Sequence, residues 1–181
     1  MKIDKTAIEG LLIITPKIFK DDRGYFFESY NKKTFNEMGL NFNFVQDNES
    51  FSSKGVLRGL HFQKPPYSQG KLIRVVKGRV LDVAVDLRKS SNTFGKWHSI
   101  ILDGETKQMF YIPVGFAHGF LTLEDNTIFT YKCTNLYCKE SEGSIRWNDP
   151  DINIDWECVK PILSDKDNTA PFLKDIVIPF E

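Results

Sequence analysis

Apolar residues recur along the chain in short runs separated by turn residues. Runs rich in Val, Ile and Phe extend from Leu11 to Thr15, Gly24 to Tyr30, Gly55 to Phe62, Lys71 to Val76, Arg79 to Leu87, Trp97 to Leu102, Gln108 to Ile112, His118 to Leu123 and Thr127 to Lys132. Their length and composition predict strands. Alternation is close to strict in Arg79–Asp86, with Val80, Asp82, Ala84 and Asp86 on one face and Leu81, Val83 and Val85 on the other. That pattern predicts one core face and one polar face. Lys77-Gly78 reads as a tight hairpin turn. Helix is confined to pieces: Asn31 as N-cap and Gly39 as stop bracket Lys32–Met38, with Phe35 and Met38 spaced to share a face. The tail beyond Pro150 reads as loop and short helix. Many short antiparallel strands with this little helix predict a mainly β fold, a jelly-roll β-barrel or sandwich with a few short peripheral helices.

Charge narrows the partners. The 181 residues carry 24 basic and 24 acidic side chains, so the electrostatic basis for a general nucleic-acid or membrane-surface binder is missing. A charged ligand must be met by a local cluster. No apolar run approaches the roughly 20 residues of a membrane span, and Met1–Lys5 lacks the apolar stretch of a signal peptide. A cytoplasmic protein is expected. Nothing repeats and no linker-like stretch divides the chain, which predicts a single domain over residues 1–181. Cys133, Cys138 and Cys158 form no Cys-x-x-Cys and read as free structural thiols.

Three histidines are the first candidates for chemistry. His98, in an alternating strand without a charged neighbour, reads as structural or exposed. Gly55-(five residues)-His61, Lys71-(six residues)-Gly78 and Pro113-x-Gly-x-x-His118 together resemble the two motifs of the cupin superfamily. Metal-binding cupins have His-x-His in the first motif and a Glu before the six-residue gap. Gln63 and Lys71 stand there instead, and an ammonium has no lone pair and repels a cation, so no metal is expected. An ammonium at a substrate carbonyl oxygen would stabilise an enolate, and the His61 imidazole beside it could remove the neighbouring proton. Arg58 and His61 are an odd number of residues apart and would face opposite sides of a strand unless Gly59 introduces a bulge or twist. On the residues alone only His61 and Lys71 carry this reading. Tyr131 reads as well as a barrel aromatic, Arg23 as a turn residue, Glu28 and Glu142 as solvated acids, Gln46-Asp47-Asn48 as a strand-to-turn transition, Tyr137 as loop packing and Lys166-Asp167 as a surface charge pair.

Seven fragments in order extend the pattern: Phe44-Val-Gln46-Asp47-Asn48 with Ser50, Gly55-Val-Leu-Arg58-Gly-Leu-His61, Gln69-Gly-Lys71-Leu-Ile-Arg-Val75, Gly115-Phe-Ala-His118-Gly-Phe120, Tyr131-Lys-Cys-Thr134, Ile145-Arg-Trp-Asn-Asp-Pro150 and Leu163-Ser-Asp-Lys166-Asp167. From about Ile8 to the C-terminus the chain resembles the dTDP-4-dehydrorhamnose 3,5-epimerases. The resemblance implies a dTDP-linked 4-keto-6-deoxy sugar as substrate, no cofactor, and His61 as general base oriented by Asp167. It implies Tyr131 as the residue that returns a proton on the opposite face, and Lys71 as the cation at the ketone oxygen with His118 nearby. Arg23, Glu28, Gln46, Asp47, Asn48, Arg58, Glu142 and Lys166 match positions that hold nucleotide and sugar, and Tyr137 matches an aromatic that stacks on thymine. A homodimer is implied, with N-terminal strands crossing so that Arg23 and Glu28 serve the neighbour's site. Glu49 and Phe62 stand where many relatives have His and Tyr, which leaves nucleotide and sugar preference open. A mono-epimerase and a non-catalytic nucleotide-sugar binder remain alternatives.

Overall fold

The computed structural model describes residues Met1–Glu181. Its strands are Lys2–Lys5 (β1), Leu12–Thr15 (β2), Phe19–Asp21 (β3), Gly24–Phe26 (β4), Gln46–Ser52 (β5), Leu57–Gln63 (β6), Lys71–Lys77 (β7), Arg79–Asp86 (β8), Trp97–Asp103 (β9), Met109–Ile112 (β10), Phe116–Thr122 (β11), Thr127–Cys133 (β12) and Glu142–Ser144 (β13). Two short helices, Lys32–Glu37 (α1) and Asp165–Asn168 (α2), accompany them. No helix is long and apolar enough to cross a membrane. The strands form a six-stranded sheet in the order β1-β2-β10-β7-β12-β5 and a five-stranded sheet in the order β13-β6-β11-β8-β9, with β3–β4 as a separate hairpin. The expected mainly β fold is present as a sandwich of two sheets, not as a closed barrel.

The inner faces meet in a core that includes Ile73, Val75, Phe110 and Phe129 from one sheet and Val80, Ala84, Leu102 and Phe120 from the other. A second core lies on the outside of the five-stranded sheet. There Leu57, Leu60, Leu81, Val83, Val85, Ala117 and Leu121 are covered by Ile145, Ile152, Trp156, Ile178 and Phe180 of the C-terminal tail. The expectation of one polar face on β8 is therefore wrong. Both faces are buried, Asp82 and Asp86 included: these two share the inner face with Val80 and Ala84, against the six-stranded sheet, while the tail covers Leu81, Val83 and Val85 on the outer face. Buried carboxylates need partners. Asp86 accepts from Arg88, Ser91 and Thr93. Burial pushes its pKa up, but those hydrogen bonds outweigh it and hold the carboxyl at about 2.

Lys77-Gly78 is a second correction. It closes no hairpin, since β7 and β8 lie in different sheets. Gly78 has φ +81, and a Cβ there would strike Thr127; the glycine lets the chain step from one sheet to the other against that residue. The strand expected over Gly24–Tyr30 stops at Phe26, in the exposed hairpin. Gln46–Asn48 begin a full edge strand and not a turn. The helix agrees with its sequence signals: Asn31 accepts from the Lys33 and Thr34 amides, Gly39 follows the end with φ +80, and Phe35 is buried beside Ile14, Leu72 and Met109.

The tail is fastened by polar contacts of its own. Asp149 accepts from the Asp151, Ile152 and Leu173 amides, and Arg146 donates to Ala170 O. Ile162 then exchanges backbone hydrogen bonds with Gly55 and Leu57. That attachment carries α2 to the edge of the space between the sheets.

Candidate active site

A cavity of about 600 Å³ opens between the sheets, lined among others by Arg58, His61, Lys71, His118, Tyr131 and Asp167. Its five-stranded wall depends on a local irregularity. Between β6 and β11, His61 pairs with His118 while Arg58 pairs with Phe120, so three steps on β6 oppose two on β11. This bulge at Gly59 turns Arg58 and His61 onto one face, as the sequence required of it. Gly59 has φ +143, and a Cβ on it would lie 2.5 Å from Gly119 Cα. Gly59→Ala is therefore expected to destabilise the fold by about 1–3 kcal/mol, read as a lowered thermal midpoint. An unchanged midpoint would contradict the close approach.

His61 Nε2 lies 2.6 Å from Asp167 Oδ1. Ser164 caps α2 by accepting from the Asp167 amide at 3.1 Å, which fixes the carboxylate on its helix. The Asp167 side chain is only 4% exposed. Burial pushes its pKa up, but hydrogen bonds from His61 and the Gly59 amide overcome this and hold it below the usual carboxylate range. An ionised Asp167 only accepts, so in a neutral His61 the proton sits on Nε2 and the Nδ1 lone pair is free.

The opposite wall supplies Lys71 from β7 and Tyr131 from β12. The Lys71 ammonium stands 5.9 Å from the centre of the Tyr131 ring. Burial lowers the Lys71 pKa, opposed by Cys133, Asp82 and Glu142. Burial raises that of Tyr131, which keeps the phenol protonated and able to give a proton.

Beside His61, His118 Nε2 donates to the Asp82 carboxylate at 3.0 Å. Burial lowers the His118 pKa against the opposing effect of Asp82. Asp82 was not singled out from sequence, although a carboxylate between Val80 and Ala84 was the available signal. Ser50 was noted only as part of a motif; its hydroxyl is buried in the cavity wall without a partner. His98, expected to be structural or exposed, is half-buried near Phe110, and burial lowers its pKa. All three cysteines are free.

The remaining candidates divide. Asn48 and Lys166 also line the cavity. Arg58 Nε donates to Ser52 Oγ at 3.3 Å. Glu142 pairs with Lys166, and Gln46 donates to Asn48. Asp47 alternates onto the other face of β5 and pairs with Lys132 at 2.9 Å. Glu28 accepts from Asn31 beside α1. Arg23, with its side chain 90% exposed, pairs with Asp21 at the tip of the β3–β4 hairpin. Tyr137 is half-exposed on the loop after β12. Within one chain, Arg23, Glu28, Gln46, Asp47, Tyr137 and Glu142 are not brought to the cavity lining.

An imidazole backed by a carboxylate on one wall, with an ammonium and a phenol on the other, defines an acid–base pocket. Such a pocket can take a proton from one side of a bound carbonyl compound and return one from the other. Comparison with known proteins makes the class specific. A model of the dTDP-4-dehydrorhamnose 3,5-epimerase family matches residues 5–175, and the chain belongs to that family. It is 55% identical over 168 residues to the dTDP-4-dehydrorhamnose 3,5-epimerase of Shigella flexneri, covering 92% of this chain and 93% of that protein. The crystal structure of a Legionella pneumophila dTDP-6-deoxy-D-glucose-3,5-epimerase in complex with dTDP-4-keto-L-rhamnose superposes with a TM-score of 0.95, at 49% identity and 99% and 98% coverage. A more distant structure, the 3′-monoepimerase of Streptomyces bikiniensis in complex with dTDP-quinovose, is 36% identical with a TM-score of 0.88, covering 93% of this chain and 86% of that one.

Proposed function

We propose that the chain epimerises dTDP-4-dehydro-6-deoxy-D-glucose at carbons 3 and 5 to dTDP-4-dehydro-L-rhamnose, in the biosynthesis of dTDP-rhamnose. The observation that carries this is the placement of His61–Asp167 on one wall and of Tyr131 with Lys71 on the opposing one. Carbons 3 and 5 flank the 4-keto group, so their protons are the acidic ones on the ring. His61 Nδ1 takes the proton, Asp167 stabilises the imidazolium, and the C–H electron pair moves into an enolate whose oxygen faces Lys71. Tyr131 then gives its phenolic proton to the other face of the carbon. Solvent resets both groups, and the second carbon repeats the cycle. No cofactor enters, since every proton and electron pair is accounted for by these groups and water.

The other residues hold the ligand in this reading. Arg58 faces the diphosphate, for which a guanidinium fork suits two oxygens. Asn48, Lys166 and Glu142 contact the sugar and phosphates, His118 positions the sugar beside Lys71, Gln46 and Asp47 serve the nucleoside, and Tyr137 stacks on thymine. Residues 1–181 act as one domain in the cytoplasm, as a homodimer. The exposed hairpin with Phe19, Tyr25 and Phe26 supports a crossing that brings Arg23 and Glu28 to the neighbour's site. A monomeric mass in sedimentation would overturn that part.

Metal-stripped protein tests the reaction. After dialysis against EDTA, turnover of dTDP-4-dehydro-6-deoxy-D-glucose is expected to stay within about twofold of the untreated rate, because no step passes through a metal. Proton NMR couplings of the product should report inversion at both carbons. Loss of turnover that returns with added metal would overturn the cofactor-free reading. The second reading is a mono-epimerase; the identities above favour the double reaction.

A further inference from the structure

The loop Thr134–Ser141 arches from β12 of the six-stranded sheet to β13 of the five-stranded sheet. It leaves β12 at Cys133, directly opposite Lys71 in the ladder, so it spans the ammonium end of the cavity. Two glutamine side chains, one from each sheet, grip successive backbone amides of this arch. Gln46 Oε1, from β5, accepts from Tyr137 N–H at 2.9 Å, and Gln63 Oε1, from β6, accepts from Cys138 N–H at 2.9 Å. Gln63 is only 6% exposed, and it stands opposite Glu142 in the β6–β13 ladder. Residue 63 thus holds the arch at Cys138 through its side chain and β13 at Glu142 through its backbone. Tyr137 itself is 51% exposed and makes no ring–ring contact. An aromatic held out in this way by its backbone offers a flat face to a ligand, at no cost in backbone ordering when the ligand binds.

We propose that Gln63 is a positioning residue for the nucleoside end of the substrate. Through Cys138 N–H it holds the arch that carries Tyr137, and it touches no reacting atom. The proposal rests on the function given above. Without the Gln63 oxygen the Cys138 amide has no side-chain acceptor, and the arch must shift to satisfy it.

Gln63→Met keeps the length of the side chain and removes the acceptor. With the full-length protein, KM for dTDP-4-dehydro-6-deoxy-D-glucose and Kd for dTDP are both expected to rise about tenfold, the equivalent of one lost hydrogen bond. The kcat is expected to stay within about twofold, since the groups at carbons 3 and 5 are untouched. Gln63→Glu, which again offers an oxygen to Cys138 N–H, is expected to recover most of the lost affinity. A merely structural role would lower kcat with KM and would not distinguish Met from Glu. Unchanged KM and Kd in Gln63→Met, or a fall confined to kcat, would overturn the proposal. If Gln63→Met does not fold, Gln63→Asn, one methylene short of the amide, gives the same readout. The dTDP-binding arm separates the two levels of inference. A wild type that binds dTDP but turns over no sugar removes the proposed reaction, while the change in Kd still decides the role of Gln63.

Discussion

His61→Asn is expected to lower kcat by about 100- to 10,000-fold, the range removed with a positioned general base, while leaving binding of dTDP unchanged. Asparagine fills much of the same space but has no basic nitrogen to take a proton. The companion substitution Asp167→Asn is expected to fall in the same range for a different reason. An amide can donate to His61 Nε2, which drives the ring proton to Nδ1 and occupies the lone pair that would take the substrate proton. Single-turnover rates on saturated enzyme provide the measurement. A His61→Asn variant within tenfold of wild type would mean that another group takes the proton. Asp167 imposes no acid limit near neutrality. Its depressed pKa keeps it ionised there, and its orienting effect is lost only as pH falls through that lowered value.

Lys71→Met is expected to lower kcat by about 100- to 1000-fold, as for loss of one donor to a developing oxyanion, with KM little changed because the charge on O4 appears only in the transition state. Burial lowers the Lys71 pKa from 10.5, and the sign of the consequences can be worked out. Activity needs the ammonium, so it should fall on the alkaline side before an ordinary lysine would titrate. Stability moves the other way. The folded state releases this proton at a lower pH than the unfolded chain, so between the two values the unfolded state binds more protons and the Lys71 contribution to stability rises with pH. Wild type minus Lys71→Met should therefore show an alkaline fall in rate together with a rise in relative thermal midpoint. A rate fall matched by a stability fall would instead mean that the fold is failing.

The strand segments were legible because β-branched runs and turn residues act locally. The two faces of β8 were not, since the alternation of Asp82 and Asp86 with apolar residues says which positions share a face and nothing about what covers it. The inner face meets the six-stranded sheet and the outer face, with Leu81, Val83 and Val85, meets a tail far along the chain. Lys77-Gly78 was legible as a turn but not as a change of sheet, because hydrogen-bond partners are chosen globally. The bulge at Gly59 was legible as a condition: Arg58 and His61 could share a cavity only if the strand was irregular there. Asp167 lies 106 residues from His61, and Lys166-Asp167 alone resembles any surface charge pair, so it entered through family resemblance. Gln63 was legible as an absent imidazole. Its hold on Cys138 required the arch to be seen in three dimensions.

The central claim is that one base and one acid on opposing walls invert both carbons beside the keto group. Its most direct test is turnover of dTDP-4-dehydro-6-deoxy-D-glucose in deuterium oxide, followed by proton NMR of the product. The result expected is solvent deuterium at both C3 and C5 with inversion at both, all of it abolished in His61→Asn. Deuterium at a single carbon, or exchange that survives in His61→Asn, would contradict it.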